Sequence, residues 1–257
     1  MRRDEIGLLQ ALREQFPSLS TDELTAQVVC RRVWVDDQVV TDPKQVIARS
    51  AKLVIDQSRP YVSRGGYKLE GALQAFGLDV KGLVLLDAGS STGGFTDCLL
   101  AHGARLVHAV DVGYNQLDWK LRSDERVVVH ERTNIMGVEE LSPTPDAATC
   151  DLSFRSISGA ASHILSLCKE GAFLIALIKP QFEVPKYTEG FDGVVRDPQL
   201  LKEVLLAVLK ALIDEGVGIK DLMQSPITGT KGNTEFFALL HTGDGLSAQQ
   251  ALSRITL

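Results

Sequence analysis

From about residue 83 the chain alternates short apolar runs with helix-length segments, and few architectures accept that rhythm. The runs are Leu83-Val-Leu-Leu-Asp87, Leu106 to Asp111, Val127-Val-Val-His130, Ala147 to Asp151 and Ala172 to Ile178. Near-continuous apolar strands separated by helices predict a doubly wound parallel sheet with both faces covered. Asp197-Pro198 places an N-cap before a proline at the first helical position, so a helix is expected from there to about Glu215. Two closing strands, Val217 to Met223 and Glu235 to Leu240, flank the turn-rich Thr228-Gly-Thr-Lys-Gly-Asn233 and suit an antiparallel edge pair, making seven strands.

Residues 1 to 58 read differently. Leu8, Leu9, Leu12 and Phe16 recur at helical spacing, and Ser20-x-x-Glu23 opens a second helix through Val28 and Val29. Arg32-Val-Trp-Val35, Asp36-Asp37 and Gln38-Val-Val-Thr41 form a hairpin pattern, and Lys52-Leu-Val-Ile-Asp56 a further strand. Gln57 to Ser63, with Pro60, is expected to be a linker. A small α+β unit thus precedes the doubly wound one.

Composition narrows the function classes. The longest apolar stretch, Gly171 to Ile178, stops at Lys179, short of the roughly 20 residues that cross a bilayer. Acidic residues follow Arg2 and Arg3 at once, with no apolar secretory core behind them, so a cytoplasmic protein is expected. Cys30, Cys98, Cys150 and Cys168 lack C-x-x-C spacing and read as reduced core thiols. His102, His108, His130, His163 and His241 show no ligand spacing, and no metal is expected. The net charge of −6 means that any contact with nucleic acid rests on local patches.

The chemistry concentrates at strand ends. Asp87-Ala-Gly-Ser-Ser-Thr-Gly-Gly-Phe95 is a glycine-rich turn between a strand and a helix, where a doubly wound sheet takes its ligands. Asp111 ends the next strand and suits hydrogen bonds from a ribose diol, as in NAD or S-adenosylmethionine. The turn offers Gly89, Gly93 and Gly94 in place of G-x-G-x-x-G, and Asp87 repels a pyrophosphate but favours a sulfonium or ammonium group, so S-adenosylmethionine is the better reading. Asp151 ends the fourth strand and Lys179 the fifth, so the two are expected side by side at the same mouth.

These blocks resemble the TlyA family, often labelled hemolysins, a branch of the FtsJ-like ribose 2′-O-methyltransferases. The resemblance runs through Val62-Ser-Arg-Gly-Gly-Tyr-Lys-Leu69, Asp87 to Thr96, Asp111-Val-Gly-Tyr-Asn-Gln-Leu117, Glu131-Arg-Thr-Asn134, Asp151-Leu-Ser-Phe154, Lys179-Pro-Gln-Phe-Glu183 and Gly232-Asn-Thr-Glu-Phe236, covering nearly the whole chain. It implies a Rossmann-like methyltransferase sheet with its last strand antiparallel, and a Lys-Asp-Lys-Glu tetrad falling on Lys68, Asp151, Lys179 and Glu235. Read alone, Lys68 is an exposed helix lysine and Glu235 a strand-edge charge; only the resemblance lifts them. It also makes Asp87, Gly89, Ser90, Gly93, Gly94, Asp111 and Asn134 the expected S-adenosylmethionine contacts.

The first 58 residues resemble the small RNA-binding domain of ribosomal protein S-four and pseudouridine synthases. The pattern departs where Arg31 replaces a glycine and Asp36-Asp37 an Asn-Gly turn, and the segment carries 8 basic against 9 acidic residues. Arg31, Arg32, Arg64 and Arg155 are the expected RNA contacts. The implied reaction is methyl transfer to a ribose 2′-hydroxyl of ribosomal RNA or a ribosomal subunit. Lys179 would steer the hydroxyl proton, with Lys68 nearby to favour its neutral amine and with Asp151 and Glu235 orienting the lysines. The rival readings are a membrane-acting hemolysin and an RNA-binding assembly factor without turnover.

Overall fold

The computed structural model describes residues 5–29, 32–36, 38–55, 61–153, 156–184 and 191–256. The N-terminal part comprises β1 (Glu5–Gly7), α1 (Leu8–Gln15), α2 (Thr21–Val29), β2 (Val33–Val35), β3 (Gln38–Val40), β4 (Val46–Ala48) and β5 (Leu53–Ile55). The helices, hairpin and later strand fall where periodicity places them. β1 also pairs antiparallel with β4, a pairing that no sequence pattern in these short segments marks. β2 lies between β3 and β5, and alternate residues Val33, Val35, Val40, Leu53 and Ile55 join Leu8, Leu12, Leu24 and Val28 in a separate apolar cluster.

The remainder runs α3 (Arg64–Phe76), β6 (Val84–Ala88), α4 (Gly94–Ala101), β7 (Leu106–Val110), α5 (Trp119–Arg122), β8 (Val127–His130), β9 (Ala147–Cys150), α6 (Ala161–Ser166), β10 (Phe173–Ile178), α7 (Pro180–Glu183), α8 (Pro198–Asp214), β11 (Val217–Gln224), β12 (Phe236–Thr242) and α9 (Ala248–Leu252). The seven strands lie in the order β11-β12-β10-β9-β6-β7-β8. β9, β6, β7, β8 and β10 are parallel, and β12 runs antiparallel to both of its neighbours. The chain starts at β6, moves outward to β8 and then returns to β9 on β6's other side. That reversal opens a crevice at the carboxyl ends of β6 and β9.

Both faces of the sheet are covered, which is why its strands read as unbroken apolar runs. On β10, Leu174, Ala176 and Ile178 pack into one cluster, while Ile175 and Leu177 pack into the other. α8 begins as its sequence predicts: Asp197 accepts from the amides of Gln199 and Leu200, and Pro198 opens the helix. α3 and α4 meet through small residues. A Cβ on Gly94 would sit 2.2 Å from Ser63 Oγ and 2.9 Å from the Gly66 nitrogen, so only glycine allows this approach.

Two expectations need correction. The later part of the proposed linker is not loose: Tyr61 and Val62 are buried, the Val62 amide donates to Asp97 Oδ2 at 2.8 Å, and Ser63 caps α3. Residues 56–60 lie outside the described residues. Lys68 is not an exposed helix lysine and Glu235 is not an edge charge. Both are buried: Glu235 directly precedes β12, which lies between β10 and β11, and its carboxylate meets the Lys68 ammonium.

Candidate active site

The turn after β6 is shaped by backbone bonding. The Gly89 and Ser90 amides both donate to the Val110 carbonyl, at 2.8 and 3.2 Å. Gly89 has φ +87°, and a Cβ there would lie 2.5 Å from the Asp151 carbonyl oxygen, so a side chain would close the gap between β6 and β9. The gap opens into a cavity of 450 Å³ lined by Gly89, Asp111, Asn134, Asp151 and Ser153, among others. Asp111 is fixed from two sides, its Oδ2 accepting from the Ser91 amide at 2.9 Å and its Oδ1 from the Gly113 amide at 2.6 Å. Asn134 accepts from the Met136 amide at 3.1 Å and so caps the turn after β8. Larger hollows of 790 and 560 Å³ lie along α8 and α9, away from these strand ends.

The other residues expected at the cofactor sit behind the wall. Gly93 has φ +94° and packs against Leu117 and Leu121, and Gly94 packs against α3. Ser90 is buried, and its neighbour Ser91 lines the cavity instead. Asp87 is fully buried, with its carboxylate accepting from Thr96 Oγ1 at 2.6 Å and Thr149 Oγ1 at 3.1 Å. Burial outweighs those two hydrogen bonds and pushes its pKa up to about 7. Between about pH 4 and pH 7 the folded chain therefore holds a proton that the unfolded chain has lost. Stability contributed by this group is complete below the ordinary carboxyl range and falls as the pH rises through 7. Asp87→Asn is expected to remove that slope, read by urea unfolding at a series of pH values; an unchanged slope would show that Asp87 is not its source.

The charged groups form two pairs at this end of the sheet. Lys179, ending β10, pairs with Asp151, ending β9, and its Nζ also donates to Ser153 Oγ at 3.2 Å. The parallel pairing of these two strands sets them side by side, as their sequence positions imply. Pro180 turns the chain into α7 directly after Lys179. Lys68 Nζ donates to Glu235 Oε2 at 2.6 Å, with side-chain exposures of 11% and 3%.

Gln181, which sequence reasoning passed over inside the Lys179-Pro-Gln-Phe-Glu183 block, donates from Nε2 to Glu235 Oε1 at 3.4 Å. It links the segment after Lys179 to the second pair. The loop before β12 closes over the carboxylate so tightly that a Cβ on Gly229 would meet Glu235 Oε1 at 2.0 Å.

Two of the arginines expected to meet RNA make contacts within the protein. Arg32 Nε lies 3.6 Å from the buried Asp118 carboxylate, and Arg64 Nη2 donates to the Thr228 carbonyl at 2.5 Å. Arg31 and Arg155 lie outside the described residues, as does Cys30. Among the described residues, Cys98, Cys150 and Cys168 are free thiols and no group of three His, Cys, Asp or Glu side chains is arranged to hold a metal ion. No helix among them is long and apolar enough to cross a membrane.

Residues 61–242 match the family of FtsJ-like methyltransferases. The 16S/23S rRNA (cytidine-2′-O)-methyltransferase TlyA of Mycobacterium tuberculosis is 43% identical over 218 residues, covering 82% of this chain and 80% of its own. Hemolysin A of Brachyspira hyodysenteriae is 40% identical, covering 80% of this chain and 87% of its own. A solved structure from Streptococcus thermophilus, described as a hemolysin, superposes with a TM-score of 0.72 at 33% identity over 98% of this chain and 96% of its own. The chain belongs to the FtsJ-like methyltransferase family, within its TlyA branch.

Proposed function

We propose that this protein transfers a methyl group from S-adenosylmethionine to a ribose 2′-hydroxyl of ribosomal RNA, free or in a ribosomal subunit, in the cytosol. The observation that carries the reading is the Lys179–Asp151 pair beside a cavity floored by Gly89 and flanked by Asp111. The cavity's donor set fits the cofactor: a carboxylate already pinned by two amides suits a ribose diol, and a glycine lets a ligand lie against the backbone. Asp111, Gly89 and Asn134 would hold it, while Asp87, Ser90, Gly93 and Gly94 would shape the turn behind it. S-adenosylmethionine, when bound, supplies a methyl group on a positively charged sulfur that is open to in-line displacement.

The chain's own residues serve the nucleophile. A ribose hydroxyl is a poor nucleophile near neutral pH, and Lys179, held by Asp151 and Ser153, is the group placed to take or steer its proton. Lys68 and Glu235 hold the adjoining wall in register through Gln181, and much of the acceleration comes from positioning. Residues 1–58 would contribute to RNA capture and residues 59–257 would carry methyl transfer; the separate apolar cluster of the N-terminal elements supports that division.

Nuclease digestion and mass spectrometry of ribosomal RNA treated with labelled cofactor test the reaction. The expected product is a 2′-O-methyl nucleoside, whereas a methyl group on the base, or none, would overturn it. Asp111→Ala is expected to weaken S-adenosylmethionine binding by roughly 1.5 to 3 kcal/mol, the scale of a hydrogen bond to a charged group. Calorimetric titration reads this, and unaltered affinity would remove Asp111 from the cofactor's site.

A further inference from the structure

We infer that Tyr114 and Arg132 form a stacking platform for an unpaired RNA base at the rim of the cavity, an inference that rests on the RNA methyl-transfer reading above. The Arg132 guanidinium carbon lies 4.0 Å from the centroid of the Tyr114 ring. Tyr114 is nonetheless 64% exposed, and its neighbour Val112 is 70% exposed. With one face under a guanidinium and most of the residue in solvent, the ring is an open aromatic surface rather than a core side chain.

The two residues stand on loops that are locked together. Tyr114 follows β7 and Arg132 follows β8, and the Arg132 amide donates to the Gly113 carbonyl at 2.9 Å. The Thr133 amide donates to the Asp111 carbonyl at 2.9 Å. Arg132 has φ +52° and Asn115, next to Tyr114, has φ +56°. Asparagine tolerates this region, so it is Arg132 that the fold holds in a conformation most L side chains disfavour. Such strain persists where surrounding structure over-determines it, and here it fixes the stack.

The platform adjoins the cofactor's cavity without lining it. Val112, Gly113 and Thr133 face the cavity, whereas Tyr114 and Arg132 do not. They therefore stand at the rim on the Asp111 side of the cavity, open to a nucleotide of the bound RNA. Single-stranded RNA is held by stacking on aromatic rings and guanidinium planes, and the arginine also offers its charge to a phosphate. On a chain of net charge −6, with Arg32 and Arg64 tied to protein groups, an exposed cation stacked on an exposed ring is the kind of local patch that RNA requires.

The test compares wild type with Tyr114→Ala, Tyr114→Trp and Arg132→Ala, using unmodified ribosomal RNA transcribed in vitro. Equilibrium RNA binding, the KM for RNA, kcat and S-adenosylmethionine affinity are measured for each. Tyr114→Ala is expected to weaken RNA binding and raise the RNA KM by about tenfold or more. Tyr114→Trp should restore both, Arg132→Ala should weaken RNA binding in the same sense, and cofactor affinity should hold throughout. Unchanged RNA binding in Tyr114→Ala overturns the platform. So does a loss confined to S-adenosylmethionine affinity, which would make the ring a cover for the cofactor. Binding needs no turnover, so wild type that binds RNA through Tyr114 but transfers no methyl group would sink the proposed reaction and leave the platform standing.

Discussion

Lys179→Ala is expected to cut methyl transfer by roughly 10²-fold or more, the usual scale for loss of a positioned acid or base, while leaving S-adenosylmethionine affinity nearly intact. The expectation follows from where the side chain ends. Its Nζ is held by Asp151 and Ser153, two residues that line the cavity, but Lys179 itself is absent from that lining. The cofactor's binding surface therefore survives its removal. The Asp151 side chain is 26% exposed, but its Oδ1 beside Lys179 is buried and loses its cation, so some stability is lost too and turnover is read on protein shown to be folded. Lys179→Arg separates two roles: it keeps the charge but holds its proton at any working pH. If Lys179 takes the hydroxyl's proton, the arginine variant is as slow as the alanine variant. Turnover within a few-fold of wild type in Lys179→Arg would mean that fixed charge suffices, and full activity of Lys179→Ala would end the mechanism.

The Lys179–Asp151 pair was legible in the sequence because both residues end predicted parallel strands, and consecutive strands in such a sheet usually lie side by side. The same logic placed Asp111. α8 was legible from its cap, since Asp197-Pro198 satisfies the helix start by local chemistry alone. What escaped depends on distant contacts. β1 and β4 are three residues each, too short to show a period, and exist only because Glu5 to Gly7 find Val46 to Ala48. Tyr61 and Val62 read as linker beside Pro60, yet they are buried because Gly66 leaves no Cβ where the Tyr61 ring lies. Asp87 reads as a ligand acid, but its hydroxyl partners Thr96 and Thr149 come from a helix and a neighbouring strand that close it off. Lys68 looks like a surface lysine until Glu235, 167 residues later, supplies the charge that lets it be buried.

Removing one member of that buried pair is expected to cost far more stability than removing both. Glu235→Leu strands an ammonium, and Lys68→Met strands a carboxylate, in a site where the two side chains are only 11% and 3% exposed. Breaking a buried pair from one side typically costs about 3–5 kcal/mol, whereas an apolar replacement of both partners is often neutral. Each single variant should therefore unfold at clearly lower urea concentration, and Lys68→Met/Glu235→Leu should recover most of the loss. Gln181 tempers the recovery, because its Nε2 then loses its acceptor. Methyl transfer discriminates what the pair is for. If the pair positions the wall beside Lys179, the double variant regains stability but stays impaired in turnover, since apolar side chains cannot hold Gln181 and the loop over Glu235 in place. A double variant that regains both stability and turnover would make the pair a structural element alone. Single variants as stable as wild type would mean that water reaches these charges, and the burial argument would fail with them.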